Sequence, residues 1–313
     1  MRTLLIDGNN LLYRTFWAAN YKAKNSNPGS TTATYIFLRA LKSYADKFAP
    51  WDKIYCVWDK RLAYPLGNFR SELCDTEYKG GRDNEKFKNV FESLDDIIEI
   101  LETLGVHNFY PHRMEADDAI SWLSETIEGE KIIITTDKDM LQLINDNIEI
   151  YNTNTKKIIN KNNFKEHTDI DTPKDYFFFR CFTGDKSDNI PGIPKVGLKT
   201  YLKLTKDWDY NLDNLNISES QKHIVQTNIF LMDLKYGYGY YEEEAITYRA
   251  QYYQTKGKRD IKFNNFVEKC NNMGFKSIVD KPTDWSYTFM PKKNSILDCV
   301  NTIKERINNV NPA

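Results

Sequence analysis

Residues 114–140, MEADDAISWLSETIEGEKIIITTDKDM, decide how this chain folds, because they bring five carboxylates to two element ends inside one short unit. Within it, IIITT (132–136) is an apolar, β-branched run that breaks off into Asp137-Lys138-Asp139. Such a run predicts a buried parallel strand with acids at its carboxyl end, the edge at which open α/β sheets bind ligands. Upstream, Glu115, Asp117 and Asp118 open a helical pattern whose apolar side carries Ala119, Ile120, Trp122, Leu123 and Ile127. Glu115 and Asp118, three apart, share a face. For either cluster alone, acids favoured by a helix dipole and a solvated turn are an equally good account.

The same design recurs elsewhere. TLLID (3–7) is an apolar run ending in Asp7 and followed by the turn signal Gly8-Asn9-Asn10, and KIYCVWD (53–59) ends in Asp59. Tyr35, Leu38, Leu41 and Ala45 predict a helix over 31–48. A second, over 85–104, puts Phe87, Val90, Phe91, Leu94, Ile97, Ile98, Leu101 and Leu104 on one face, with Gly105 as its stop. Residues 106–110 read as a further strand, and 148–151 with 157–160 as a small hairpin at the sheet edge. Strands alternating with helices imply an α/β fold, a doubly wound and mostly parallel sheet flanked by helices.

Composition narrows the function classes. The 313 residues suffice for one large α/β domain and a smaller second module. A net charge of −1 excludes a simple basic nucleic-acid coat, so phosphate contact has to come from local patches. Five cysteines with no close pairing and four scattered histidines suggest neither a disulfide framework nor a zinc site. No apolar run approaches the about 20 residues of a membrane span, and the opening MRTLLIDGNN meets an acid too soon for a signal peptide. A cytoplasmic chain with no membrane partner is expected.

Two stretches suit phosphate. Residues 60–84 lack a sustained period and carry Arg61, Arg70, Lys79 and Arg82 among aromatics, which fits either a solvated loop or a basic cover that grips phosphate. Residues 173–204 read as a helix ending at Gly184, a turn punctuated by Pro191, Gly192, Pro194 and Gly197, and a second helix starting near Gly197. That turn leaves backbone amides bare at a helix N-terminus, a ready anion site. Lys195, Lys199 and Lys203 recur every four residues and would lie along one helix face. A lysine face alone is ordinary; combined with the turn, it favours contact with a duplex backbone without base readout. In the last third, YRAQYYQTKGKRDIKF (248–263) interleaves basic and aromatic residues, a pattern that suits nucleic acid but is commoner on plain surface.

With Asp185 and Asp188, nine carboxylates are expected at one rim: Asp7, Asp59, Glu115, Asp117, Asp118, Asp137, Asp139, Asp185 and Asp188. Crowded like charges resist ionisation unless cations neutralise them, and an oxygen-only ligand set selects hard ions, Mg²⁺ or Mn²⁺. Two such ions about 4 Å apart would activate water and stabilise the leaving oxygen of a phosphodiester. Metal-dependent phosphodiester hydrolysis is the expected chemistry.

The motifs LLIDGNNLLYR (4–14), VWD (57–59), Phe69-Arg70 with YKGGR (78–82), MEADD (114–118), TTDKDMLQL (135–143) and GDKSDNIPGIPKVGLKT (184–200) resemble the flap endonuclease and 5′-3′ exonuclease family. The similarity is greatest to its free-standing phage members, the phage 5′ nuclease/RNase H type, and covers about the first two thirds of the chain. It implies a PIN-like catalytic domain at 1–170 with an arch or gateway at about 60–90, and a helical region at 171–313 with a helix-three-turn-helix at 184–204. It further implies that Asp7, Asp59, Glu115 and Asp117 hold one ion, supported by Asp118, and that Asp137, Asp139, Asp185 and Asp188 hold another. Tyr78, Lys79 and Arg82 would belong to the gateway for a 5′ single strand, Lys79 and Arg82 facing the scissile phosphate. Arg70, Gly192, Lys195, Gly197, Lys199 and Lys203 would contact DNA, with a K⁺ ion held by carbonyls of the turn.

The activity so implied is cleavage of 5′ flaps, nicked or gapped duplex and RNA–DNA primers by a monomer, with replication proteins as further partners. Three alternatives differ at named positions. An aspartyl phosphatase needs an acid where Asn9 stands, a PIN-like ribonuclease lacks the 184–204 motif, and a non-catalytic binder of branched DNA would have lost acids, whereas none of the nine is replaced.

Overall fold

Strands β1 (Arg2–Asp7), β2 (Lys53–Val57), β3 (His107–Phe109), β4 (Glu130–Thr135), β5 (Ile148–Asn152) and β6 (Lys157–Ile159) form one sheet in the order β3-β2-β1-β4-β5-β6. The computed structural model describes residues 1–22, 30–59, 70–71, 78–79, 88–111, 114–235, 242–255 and 259–290. All neighbouring strands are parallel except β5 and β6, which make the expected edge hairpin. Chain order runs outward on both sides of β1, so β1 is the topological switch point, and crevices in such sheets open at the carboxyl ends of the strands.

Period two explains why the strands read as continuous apolar runs. Leu4, Ile6, Ile54, Cys56, Ile132 and Ile134 enter one buried layer, while Leu5, Tyr55, Val57 and Ile133 enter the opposite layer. A strand covered on both faces has no solvent side on which to place polar residues.

The helices are α1 (Gly8–Lys22), α2 (Ser30–Lys47), α3 (Leu94–Thr103), α4 (Ala116–Thr126), α5 (Phe164–Thr168), α6 (Pro173–Thr183), α7 (Leu198–Leu204), α8 (Glu219–Met232), α9 (Glu242–Thr255), α10 (Phe263–Asn272), α11 (Lys276–Val279) and α12 (Pro282–Phe289). The helix expected over 85–104 starts, among the described residues, as a 3₁₀ turn at Lys88–Ser93 and becomes α-helical at Leu94. Asp95 and Asp96 then fill its first turn, where carboxylates suit the helix dipole. Gly105, at φ +66°, ends it as expected. No described helix is long and apolar enough to cross a membrane.

A third apolar cluster joins α6, the 184–197 turn, α7 and α8 through Cys181, Phe182, Ile190, Ile193, Tyr201, Val225 and Leu231. The later helices return to the sheet: Phe266, Cys270, Ile278, Trp285 and Phe289 bury into the layer of α2 and α3.

Described residues of the 248–263 stretch strap it to the domain. Gln251 donates its Nε2 to the Tyr110 carbonyl at 2.9 Å and accepts the Tyr110 amide at 3.2 Å, supplying the partners that the edge strand β3 would otherwise lack. Tyr252 packs edge-on against Trp122. Arg259 donates to the carbonyls of Gly105 at 3.1 Å, Leu104 at 2.9 Å and Phe289 at 2.7 Å, with its guanidinium 4.5 Å from the centre of the Trp51 ring. Burial pulls that guanidinium down to about 10. Arg259→Ala strips three carbonyls of one charged donor and should cost about 2 kcal/mol in urea unfolding. A change below about 0.5 kcal/mol, the ordinary range for surface substitutions, would contradict the strap.

Candidate metal centre

The centre is built from the end of β1 outward. Asp7 is the last residue of β1 and is buried between β2 and β4. Its carboxylate accepts the Asn10 amide at 3.0 Å and the Thr135 hydroxyl at 2.7 Å, and Thr135 in turn accepts the Asp137 amide at 3.0 Å. One hydroxyl at the end of β4 thus links the acids of two adjacent strands. Asp59, two residues past β2, accepts the Ala116 amide at 2.7 Å and the Asn9 side-chain amide at 3.0 Å. It caps the first turn of α4 from a different element, where orphan N–H groups favour a carboxylate.

Glu115 is the N-cap residue of α4, and its own amide donates to Asp118 at 3.0 Å. Asp118 lies wholly inside: both its oxygens are taken by Arg70, at 2.7 and 2.6 Å in a two-pronged pair. Arg70 also donates to the Leu231 carbonyl at 2.7 Å and to Glu115 at 3.3 Å, and is only 2 % exposed. The expectation that Arg70 meets DNA is therefore corrected. A buried carboxylate at α4 needs a matching cation, and Arg70 supplies it instead of facing a phosphate. Tyr78 donates its hydroxyl to Glu115 at 3.0 Å, and the Lys79 ammonium pairs with Glu115 and stands 3.8 Å from Asp188. Lys79 holds a left-handed backbone, φ +58°, with its amide on the Asp188 carbonyl at 3.1 Å. Arg82, and most of the expected arch, lie outside the described residues.

On the other side, Asp137 accepts the Asp139 amide at 2.8 Å. Asp139 accepts from Arg180 at 2.8 Å, and Asp185 pairs with the same guanidinium nitrogen while accepting the Ser187 amide at 2.7 Å. Arg180 had no place in the sequence reading, since a lone arginine in FFFRCF looks like a helix surface position. Asn9, Asn10 and Thr135 were also missed; the Asn9-Asn10 pair after Asp7 was their only signal.

The 184–197 turn presents the last two acids. Gly184, at φ +71°, and Gly192 cross so closely that a Cβ on either would strike the other strand of the turn. Asp185 and Ile190 exchange backbone hydrogen bonds at 2.9 and 2.8 Å, and the buried Asn228 of α8 donates to the carbonyls of Cys181 and Pro191. Gly192 thus serves packing. Gly197 is the exposed N-cap of α7, and Lys199 and Lys203 are exposed on that helix. Lys195 is exposed too but precedes the helix at φ +65°, so the single three-lysine helix face is corrected to two helix lysines plus one set by the turn.

The charges separate into two kinds. Burial pushes Asp7 up to about 7 and Asp139 up to about 6, the latter with help from Asp137. Burial, then Glu115 and Asp137, hold Asp117 well above the usual carboxylate range, and burial also raises Asp137. Burial opposes ionisation of Glu115 as well, yet Lys79 and then Arg70 bring it down to about 2. Burial likewise opposes ionisation of Asp185, but Ser187 and Arg180 keep it low.

As the side chains stand, no three described acid, histidine or cysteine groups form a ready metal cage; Lys79 and Arg180 stand between carboxylates instead. Those ammonium and guanidinium groups occupy cation positions, and the donor set is oxygen throughout. A hard divalent ion fits that chemistry, and binding it requires the carboxylates to close around it.

This geometry can be set beside known proteins. A family model described as 5′-3′ exonuclease, N-terminal resolvase-like domain, matches residues 2–169. The chain belongs to that family. A 5′-3′ exonuclease of Buchnera aphidicola subsp. Schizaphis graminum is 33 % identical over 224 residues, 70 % of this chain and 75 % of that protein. DNA polymerase I of Lactococcus lactis subsp. lactis is 30 % identical over 248 residues, 72 % of this chain but 27 % of the polymerase. The structure of T5 D15 protein co-crystallised with metal ions shares the fold, with TM-score 0.66 at 21 % identity over 82 % of this chain and all of that one. A mostly parallel, PIN-like α/β fold is thereby established.

Because the pKa of Asp7 in the fold exceeds the about 3.9 of an unfolded aspartate, its ionisation costs the metal-free protein progressively more as pH rises through the window between about 4 and 7. Asp7→Asn should therefore raise the Tm of the metal-free protein, by a margin that widens from about pH 5 to about pH 7.5. A margin independent of pH would contradict the buried-charge account.

Proposed function

We propose that the chain is a divalent-metal-dependent 5′ nuclease that hydrolyses DNA phosphodiesters at 5′ flaps and 5′ ends, RNA-primed ends included, with Mg²⁺ as its natural ion. The observation that carries this is one continuous loop: residues 184–197 hold Asp185 and Asp188 beside the carboxylates at the end of β4 and the start of α4 and, a few residues on, expose Lys195 and lead into Lys199. This continuity supports a duplex backbone held by the lysines close to the acids. The name of the Buchnera relative, 5′-3′ exonuclease, supports the same reading.

The residues divide the work. Divalent ions, which Asp7, Asp59, Glu115 and Asp117 and, on the other side, Asp137, Asp139, Asp185 and Asp188 would hold, would supply an acidified water and neutralise the leaving oxygen. Asp59 and Asp118 fix the start of α4, so that Glu115 and Asp117 are held at the rim. Lys79, paired with Glu115 and near Asp188, lies where a phosphate entering between the two acid groups meets a cation. Lys195, Lys199 and Lys203 contact successive backbone phosphates, which positions the duplex without reading its sequence.

The test is cleavage of an end-labelled 5′-flap duplex with and without Mg²⁺, beside blunt and RNA-primed duplexes. Metal-dependent incision near the junction is expected; tight binding with no product in Mg²⁺ or Mn²⁺ would replace the nuclease with a branched-DNA binder. Asp137→Asn should abolish that cleavage while duplex binding persists, and turnover near the wild-type rate would remove Asp137 from the metal set. Replacing Lys195, Lys199 and Lys203 with Ala should flatten the salt dependence of duplex affinity by about three phosphate contacts. An unchanged slope would move the duplex to another face.

A further inference from the structure

Helix α1 starts at Gly8, directly after Asp7, and its start is pressed against the end of β2: a Cβ on Gly8 would lie 2.6 Å from the Trp58 ring and 2.7 Å from the Val57 carbonyl. The next two residues are both asparagines, and successive helical residues point about 100° apart. The two side chains therefore leave β1 in different directions. Asn9, 7 % exposed, accepts the Asp59 amide on Oδ1 at 3.2 Å and donates Nδ2 to the Asp59 carboxylate at 3.0 Å. Asn10 turns to the β4 side, where its Oδ1 accepts the Thr136 amide at 3.2 Å and the Thr136 hydroxyl at 3.0 Å, and its Nδ2 donates to that hydroxyl at 2.7 Å.

A carboxamide suits both places because it carries a donor and an acceptor on one planar group and no charge. Each asparagine grips the backbone and the side chain of its partner at once. An aspartate could accept the same backbone amides but, ionised, could not donate, and it would add charge to a rim already crowded with acids. Asp7 lies between the two grips. Its carboxylate accepts the Asn10 amide at 3.0 Å and the Thr135 hydroxyl at 2.7 Å, and Thr135 accepts the Asp137 amide at 3.0 Å.

We propose that Asn9 and Asn10 are positioning residues that fix the strand-end acids on either side of Asp7, each for a different ion. Asn9 holds Asp59, of the group with Asp7, Glu115 and Asp117, and Asn10 acts through Thr136 on Asp137, of the group with Asp139, Asp185 and Asp188. This rests on the metal-dependent nuclease reading. Because the two residues are neighbours in one helical turn, the separation of Asp59 from Asp137 across Asp7 is tied to the geometry of that turn. Outer groups that orient metal ligands commonly matter to affinity nearly as much as the ligands do. The side chains act separately, since the contact of Asn10 with Asp7 is made by its backbone and survives substitution of its side chain.

The experiment soaks crystals of the full chain in a series of Mn²⁺ concentrations and follows the anomalous peak at each position, for wild type, Asn9→Ala, Asn10→Ala and Thr136→Val. Asn9→Ala should raise the concentration that half-fills the position against Asp59 by about tenfold and leave the position against Asp137 within about twofold of wild type. Asn10→Ala should do the reverse. Thr136→Val, the milder change, keeps its backbone amide on Asn10 and should weaken the position against Asp137 by a smaller factor. General loosening of the fold would weaken both positions together, so the opposite pairing separates positioning from plain support. Parallel losses at both positions, or affinities that are unchanged or tighter in the asparagine variants, overturn the inference alone. A wild-type chain with no peak at these carboxylates in saturating Mn²⁺ overturns the metal-dependent reading beneath it.

Discussion

The confinement of like-charged carboxylates at the carboxyl end of a parallel sheet is the constraint on which the rest of this structure depends. Asp7 ends the central strand and is buried among strands that are apolar on both faces, so its charge can be offset only from the rim. Every acid brought to that rim by α4, the β4 end and the 184–197 turn adds to the repulsion. Lys79, Arg70 and Arg180 relieve part of it. The raised Asp7, Asp117, Asp137 and Asp139 mark the repulsion and burial that these cations leave unrelieved.

Holding such a cluster open requires rigidity behind it. Arg70 ties α4 to the end of α8 through Asp118 and the Leu231 carbonyl. Asn228 ties α8 to the turn that carries Asp185 and Asp188. Gln251 fixes Tyr110 just before the chain enters the loop that leads to Glu115. These contacts are buried or partly buried polar pairs, which set geometry more reliably than surface ion pairs do. The C-terminal third thus acts on the centre by bracing the elements that carry it.

Much of this was legible in the sequence because strand-end acids have a simple signature. An apolar run with no polar alternation, broken by aspartate, gave β1, β2 and β4 and placed Asp7, Asp59 and Asp137 on one edge. The turn at 184–197 was legible through Pro191, Gly192, Pro194 and Gly197, whereas the close crossing of Gly184 and Gly192 shows only in the fold. Arg70 was misread because a basic residue in an unpatterned stretch shows nothing of its partner: its burial is set by Asp118, 48 positions later. Arg180 was invisible for the same reason, its two partners belonging to a 3₁₀ turn and a loop. Lys195 fitted helical spacing by arithmetic alone, since the helix begins three residues beyond it. The strap at 248–263 was composition without direction until β3 was seen to be an edge.

The most direct measurement is anomalous diffraction from crystals soaked in saturating Mn²⁺. Two peaks about 4 Å apart are expected, one against Asp7, Asp59, Glu115 and Asp117 and one against Asp137, Asp139, Asp185 and Asp188. Saturating Mn²⁺ that leaves no peak within coordinating reach of these carboxylates would contradict a metal centre at the strand ends, and with it the chemistry assigned to this fold.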